Sequence, residues 1–131
     1  MVTIQVIEKI GEDERGSTHI FNTNRTGQFI IGYRKSGTIS GNEYHKGLSP
    51  YKNPEELILM NGEAILDWKN IKGTEQGTEK LIAPCKVIIP SWIWHKLVAL
   101  TDIVVFELNA LADGQGDTFK FDDASFEKGV V

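Results

Sequence analysis

The chain has 131 residues, enough for one domain of ordinary size and too few for two. Apolar residues make up 40% and charged residues 24%, close to globular averages, so composition favours neither disorder nor a coiled coil. Fourteen basic against eighteen acidic residues leave a net charge of −4, which excludes a basic footprint for nucleic acid.

Short stretches rich in Val, Ile and Phe alternate with glycine, asparagine and proline, the pattern of a many-stranded β domain. In chain order, strands are predicted over residues 2–8, 18–22, 28–35 and 38–45. Residues 47–54, carrying Pro50, Asn53 and Pro54, have turn chemistry and read as a loop. Strands follow at 55–60 and 62–68, and Asn61-Gly62 between them predicts a hairpin with a type I′ turn. An exposed connection at 69–78 leads to strands at 79–82, 86–89, 95–100 and 103–108. The tail from 113 on carries most of the net negative charge, and 122–128 is its one stretch with helical content, with Asp122 or Asp123 as N-cap. Ten strands without an internal repeat require closure into a jelly roll or barrel, which removes or protects their edges.

No apolar run approaches the roughly 20 residues of a membrane span. The N-terminus reaches Glu8-Lys9 without an apolar stretch, so no signal peptide is expected. The single cysteine, Cys85, rules out an internal disulfide and fits a reducing, cytoplasmic location.

Histidine is scarce: His19, His45 and His95. Strand alternation puts Glu43 and His45 on one face and Tyr44 on the other. Glu55, Leu57 and Leu59 also share a face, so Glu55 begins its strand on the apolar side, where a carboxylate needs a cation, a metal or a hydrogen-bond donor. Pro90-Ser91-Trp92-Ile93-Trp94-His95 reads as a turn that delivers an imidazole flanked by two large aromatics. His19 reads as a surface residue and Cys85 as a buried, inert thiol. No serine elbow and no phosphate-binding glycine loop is present.

These residues resemble the two motifs of the cupin superfamily, G-x5-H-x-H-x(3,4)-E-x6-G and G-x5-P-x-G-x2-H-x3-N. Gly37 is followed after five residues by Glu43, in the slot of the first histidine, then by Tyr44 and His45. Glu55 and Gly62 keep the six-residue spacing, while nine residues separate His45 from Glu55 where three or four are usual. In the second motif Pro90 and His95 keep their spacing; Pro84 stands in the leading glycine slot, Trp92 in the second glycine slot and Ala99 in the asparagine slot.

The resemblance implies an all-β fold: a single domain over 1–131 built as a cupin-type double-stranded β-helix, an RmlC-like jelly-roll barrel. Its barrel core is expected at 28–109, with an acidic tail at 113–131. Carried over slot by slot, Glu43, His45, Glu55 and His95 form a ligand set for a divalent transition metal, Fe, Mn, Ni or Zn, which suits mixed imidazole and carboxylate donors. Trp92 and Tyr33, with Arg34 beside it, are candidates for the wall of a substrate pocket.

Three functions follow from the resemblance. The first is a metal-binding cupin that takes a small molecule, such as a sugar derivative, inside the barrel. It would act as a dioxygenase or isomerase, with His45 and Glu43 catalytic and Glu43 a fourth ligand or general base. The second is a metal-free sugar-nucleotide isomerase or epimerase. Ser40-Gly41-Asn42-Glu43-Tyr44-His45-Lys46 resembles the R-G-x-H-A-H-K segment of deoxysugar ketoisomerases, and Ile89-Pro90-Ser91-Trp92 resembles their I-P-P-x-W stretch. His45 would then move a proton next to a carbonyl. The third is a ligand-binding cupin without catalysis. Cupins of this size resemble proteins that pair through their outer strands, which implies a homodimer.

Overall fold

The computed structural model describes residues 1–120. The strands are β1 (Thr3–Val6), β2 (Glu8–Asp13), β3 (Gly16–Ile20), β4 (Ile30–Arg34) and β5 (Ile39–Tyr44). After a 3-10 turn (Pro50–Lys52) come β6 (Glu55–Asn61), β7 (Glu63–Asn70), β8 (Gln76–Ile82), β9 (Cys85–Ile89), β10 (Ile93–Ala99) and β11 (Ile103–Glu107). One helical turn (Leu111–Gly114) precedes β12 (Phe119–Lys120). The helix expected at 122–128 lies outside the described residues. No helix among the described residues is long and apolar enough to cross a membrane.

Two five-stranded antiparallel sheets face each other, ordered β1-β9-β6-β11-β4 and β12-β5-β10-β7-β8. Alternation along the strands builds the core between them. Ala64, Leu66 and Trp68 of β7 and Cys85, Val87 and Ile89 of β9 turn inward, and their intervening neighbours turn outward. This is the all-β jelly roll that the sequence predicts. Strands β1 and β12, on either side of the expected core span, are each hydrogen-bonded into a sheet.

The Asn61-Gly62 step corrects the sequence reading. Strands β6 and β7 do not pair; they lie in different sheets, and the step is a corner where the chain crosses from one to the other. Gly62 sits at φ +88°, while Asn61 does not share the positive φ that a type I′ turn needs at both centres. A side chain at Gly62 would run into the Asp102 carbonyl and the Thr101 hydroxyl, so glycine is needed here for a close approach between distant segments.

A second difference is the β2–β3 hairpin, a separate two-stranded ribbon. Its second strand overlaps the one expected at 18–22, but the first is polar and exposed and Gly11 interrupts it, so no alternating apolar signal announces it.

Candidate active site

Strands β5 and β10 of one sheet and β6 of the other bring Glu43, His45, His95 and Glu55 together. Glu43 and His95 are direct cross-strand partners, at a point where the β5–β10 register shifts. Tyr44, between Glu43 and His45, turns outward and stacks on Trp92 and Phe119 with ring centres 5.8 and 5.5 Å away. Glu55 is the inward residue of its pair. Glu56 faces the other way and pairs with Arg25 and Lys86 at 3.2 and 2.8 Å.

The turn before β10 is tied to His45, the residue that follows β5. The Trp92 N–H donates to the His45 carbonyl at 2.6 Å, and the Trp92 carbonyl accepts from Ile71 N–H at 3.1 Å. Trp92, in the glycine slot of the cupin motif, keeps a glycine-like φ of 65°, at a cost of roughly 1–2 kcal/mol for a residue with a Cβ.

The two imidazoles are oriented alike. His45 Nδ1 lies 2.6 Å from the Asp117 carbonyl and His95 Nδ1 lies 3.0 Å from the Ile93 carbonyl. A carbonyl only accepts, so each Nδ1 carries the proton that is donated, and each Nε2 turns toward Glu55. His95 Nε2 is 3.2 Å from Glu55 Oε1, and His45 Nε2 is 3.5 Å from Oε2, too far for a good hydrogen bond. Residue exposures of 3% for His45 and Glu55 and 5% for His95 place these contacts away from water.

The nine-residue spacing between His45 and Glu55 has a structural consequence that sequence reasoning missed. The loop folds inward, and Lys52 Nζ donates to Glu55 Oε2 at 2.6 Å, with Lys52 itself only 6% exposed. The loop is held along its length. Backbone N–H groups of Lys46, Gly47 and Leu48 donate to the Asp117 carboxylate at 2.6, 3.1 and 2.8 Å. The Ser49 hydroxyl caps the 3-10 turn and donates to Asp113 Oδ1 at 2.7 Å. Buried Arg25 donates to the carbonyls of Tyr51, Pro54 and Leu108. Only the Lys52-to-Glu55 spacing of three residues hints at this in the sequence; Asp117 and Arg25 carry no local signal.

Electrostatics follow from burial and pairing. Burial raises the Glu55 carboxyl, but the two imidazoles that face it, with His95 in hydrogen-bonding distance, and the charges of His95 and Lys52 hold it well below the usual carboxylate range. Burial lowers the His95 ring, yet the hydrogen bond and charge of Glu55 prevail and raise it. Glu107, across the barrel on β11, is raised by burial and then by the nearby Glu55 charge. Burial likewise raises the Cys85 thiol, as an inert core cysteine requires.

A cavity of about 160 Å³ opens beside this cluster. Its polar wall is Arg34, Ser40, Glu43, Glu55, His95 and Glu107, and its apolar wall includes Leu57, Leu66, Leu97 and Val105. His45 is not on the wall; it stands behind Glu55. Trp92 and Tyr33 are not on it either. Trp92 packs outside on Tyr44 with Lys72 Nζ 3.7 Å from its ring centre, and Tyr33 is 73% exposed, its neighbours Gly32 and Arg34 being the inward residues. His19 lies on the exposed hairpin, with Nε2 2.9 Å from Ser17 Oγ.

The expected metal set is met unevenly. Glu43, His45 and His95 each offer a donor atom within 4.8 Å of the others, and His45 Nε2 has no hydrogen-bond partner. The fourth ligand, Glu55, already carries the Lys52 ammonium, and Glu43 lies 3.5 Å from Lys120 Nζ. This arrangement does not fit a divalent ion held by all four residues.

By sequence, no family model and no curated protein matches the chain. Solved structures do match it. The QdtA 3,4-ketoisomerase from Thermoanaerobacterium thermosaccharolyticum, in complex with TDP, aligns at 18% identity and TM-score 0.72, over 98% of this chain and 93% of that one. The dTDP-4-dehydrorhamnose 3,5-epimerase from Sulfolobus tokodaii aligns at 14% and 0.74, over 94% and 78%. ChmJ, a 3'-monoepimerase from Streptomyces bikiniensis in complex with dTDP, aligns at 13% and 0.76, over 99% and 73%. The fold of this chain is therefore the RmlC-like cupin jelly roll of those isomerase and epimerase structures.

Proposed function

We propose that the chain is an isomerase or epimerase of a keto sugar carried on a nucleotide, and that it moves a proton on the carbon beside the carbonyl. The observation that carries this reading is the pairing of Glu43 with His95 on the cavity wall. A carboxylate base and an imidazole that Glu55 holds toward its charged form face one small space. At about 160 Å³ the cavity is below the few hundred Å³ of a drug-sized site, so it suits one sugar ring with the nucleotide outside. The fold it shares with QdtA, the 3,5-epimerase and ChmJ supports the same substrate class.

Glu43 takes the α-proton, and the C–H electron pair forms the enolate double bond. The carbonyl π pair moves to oxygen, and the positive charge held on the His95 ring by Glu55 offsets the negative charge that develops there. Return of the proton from Glu43 to the neighbouring carbon after enediol formation gives the keto isomer, and protonation of the opposite face by a solvent proton gives the epimer. Arg34 supplies the cation on the wall for a phosphate or sugar oxygen. This reading gives the base role to Glu43 and makes His45, behind Glu55, a positioning residue. The homodimer belongs to the same proposal: β4 is an outer strand that exposes Ile31 and Tyr33.

The test is solvent deuterium incorporation into dTDP-4-keto-6-deoxyglucose and related keto-sugar nucleotides. Glu43→Gln and His95→Gln should each lower exchange by about 10² or more. Absence of exchange with every keto-sugar nucleotide, in folded wild-type protein, overturns the reading. A metal-dependent reaction is favoured by the close donors of Glu43, His45 and His95 alone; it requires stoichiometric metal that is lost in His45→Ala.

A further inference from the structure

We propose that Lys52 is a built-in cation that takes the place of a divalent metal's charge at Glu55, so that this barrel keeps its cluster of imidazole and carboxylate groups while excluding the ion. The inference rests on four side chains and stands apart from the identity of the substrate.

Glu55 is where the cluster converges. His95 reaches one oxygen at 3.2 Å, and the other oxygen meets Lys52 Nζ at 2.6 Å with His45 at 3.5 Å. A metal drawn to the two Nε2 atoms would need a Glu55 lone pair at roughly 2.0–2.2 Å. The ammonium already claims Oε2, and its charge would sit within a few Å of the incoming ion. All four groups are more than nine-tenths buried, so water does little to screen that repulsion.

Lys52 is not a surface side chain that swings aside. Its loop is longer than the usual motif spacing and folds inward. Asp117 fastens its first residues, Ser49 caps the turn that carries Lys52, and Arg25 holds the carbonyls of Tyr51 and Pro54 on either side of it. Withdrawing the ammonium would require breaking these bonds and leaving Glu55 buried without its closest partner. Glu43 is the alternative third donor, since its partner Lys120 is an exposed side chain 3.5 Å away, so exclusion rests on the buried Lys52 charge beside the two imidazoles.

A purely structural Lys52–Glu55 pair would affect stability and leave metal selectivity alone, so metal uptake is the discriminating readout. Wild-type protein, stripped with chelator and then titrated with Mn(II), Fe(II), Ni(II) and Zn(II), should take up no stoichiometric metal at the site. Lys52→Met, which keeps the stem and removes the charge, should gain one equivalent, with affinity for at least one of these ions raised about tenfold or more. Lys52→Arg should remain metal-free, and adding His95→Ala to Lys52→Met should abolish the gained metal. Lys52→Gln, which retains a donor to Glu55, serves in place of Lys52→Met should that variant not fold.

Stoichiometric metal in wild type that disappears in His45→Ala and His95→Ala overturns the proposal. So does a charge-neutral Lys52 variant that binds metal no better than wild type. Deuterium exchange measured on the same wild-type sample separates the two readings: loss of exchange with metal exclusion intact counts against the isomerase alone, and metal uptake with exchange intact counts against Lys52 alone.

Discussion

Lys52 Nζ lies 2.6 Å from Glu55 Oε2, closer than either histidine comes to the same carboxylate. Glu55 is thus the anion that neutralises the positive charge beneath the cavity, and its removal leaves an ammonium buried without a partner.

Glu55→Gln should therefore cost about 3–5 kcal/mol of folding stability, the usual result of deleting one side of a buried ion pair. The pH dependence has two limbs. Glu55 is depressed in the folded state, so its contribution is present above the unfolded value of about 4.3 and lost as pH falls through the folded one. His95 is raised, so its contribution is present below the unfolded value of about 6.5 and lost as pH rises through the folded one. Together they favour the folded state most between about pH 4.3 and 6.5. Urea unfolding of wild type and His95→Gln across pH measures this. The stability difference between them should shrink on the alkaline side; a constant difference from pH 5 to 9 counts against the His95–Glu55 pair.

The corner at Gly62 separates the observed fold from the hairpin reading. Gly62→Ala should cost at least about 2 kcal/mol, from the positive φ together with the clash against Asp102 and Thr101. Asn61→Ala should stay within about 0.5 kcal/mol, because Asn61 holds no left-handed conformation. Equal losses at both positions, measured by denaturant unfolding, point back to a type I′ hairpin.

What was legible in the sequence was local. Period-two alternation put Glu43 and His45 on one face with Tyr44 opposite, and it put Glu55 on the face of Leu57 and Leu59. Pro90 and His95 marked a turn that does deliver an imidazole. What was not legible depends on contacts between distant residues. Asn61-Gly62 carries the local chemistry of a hairpin, and only the approach of Asp102 makes it a corner. Trp92 and Tyr33 were placed by residue type, but Tyr33 faces outward by its place in β4, and Trp92 by the left-handed turn before β10 that packs it on Tyr44. Lys52 lay in a segment that reads as plain loop, and its inward course depends on Arg25 and Asp117.

Asp117 makes that dependence measurable. It follows His45 by 72 residues, yet its carbonyl accepts the His45 Nδ1–H and its carboxylate accepts three consecutive loop amides. Asp117→Ala removes the carboxylate and leaves the N–H groups of Lys46, Gly47 and Leu48 without their acceptor, at a cost of roughly 1 kcal/mol each. A total loss of about 3 kcal/mol is expected, with Asp117→Asn recovering part of it through its remaining carbonyl oxygen. Hydrogen exchange at those three amides should accelerate together in Asp117→Ala, because one group protects all three. The Lys52–Glu55 contact should loosen with them, since the loop that carries Lys52 starts at this anchor. Unchanged protection of the three amides in Asp117→Ala contradicts the anchoring role and, with it, the physical reason given for a fixed Lys52.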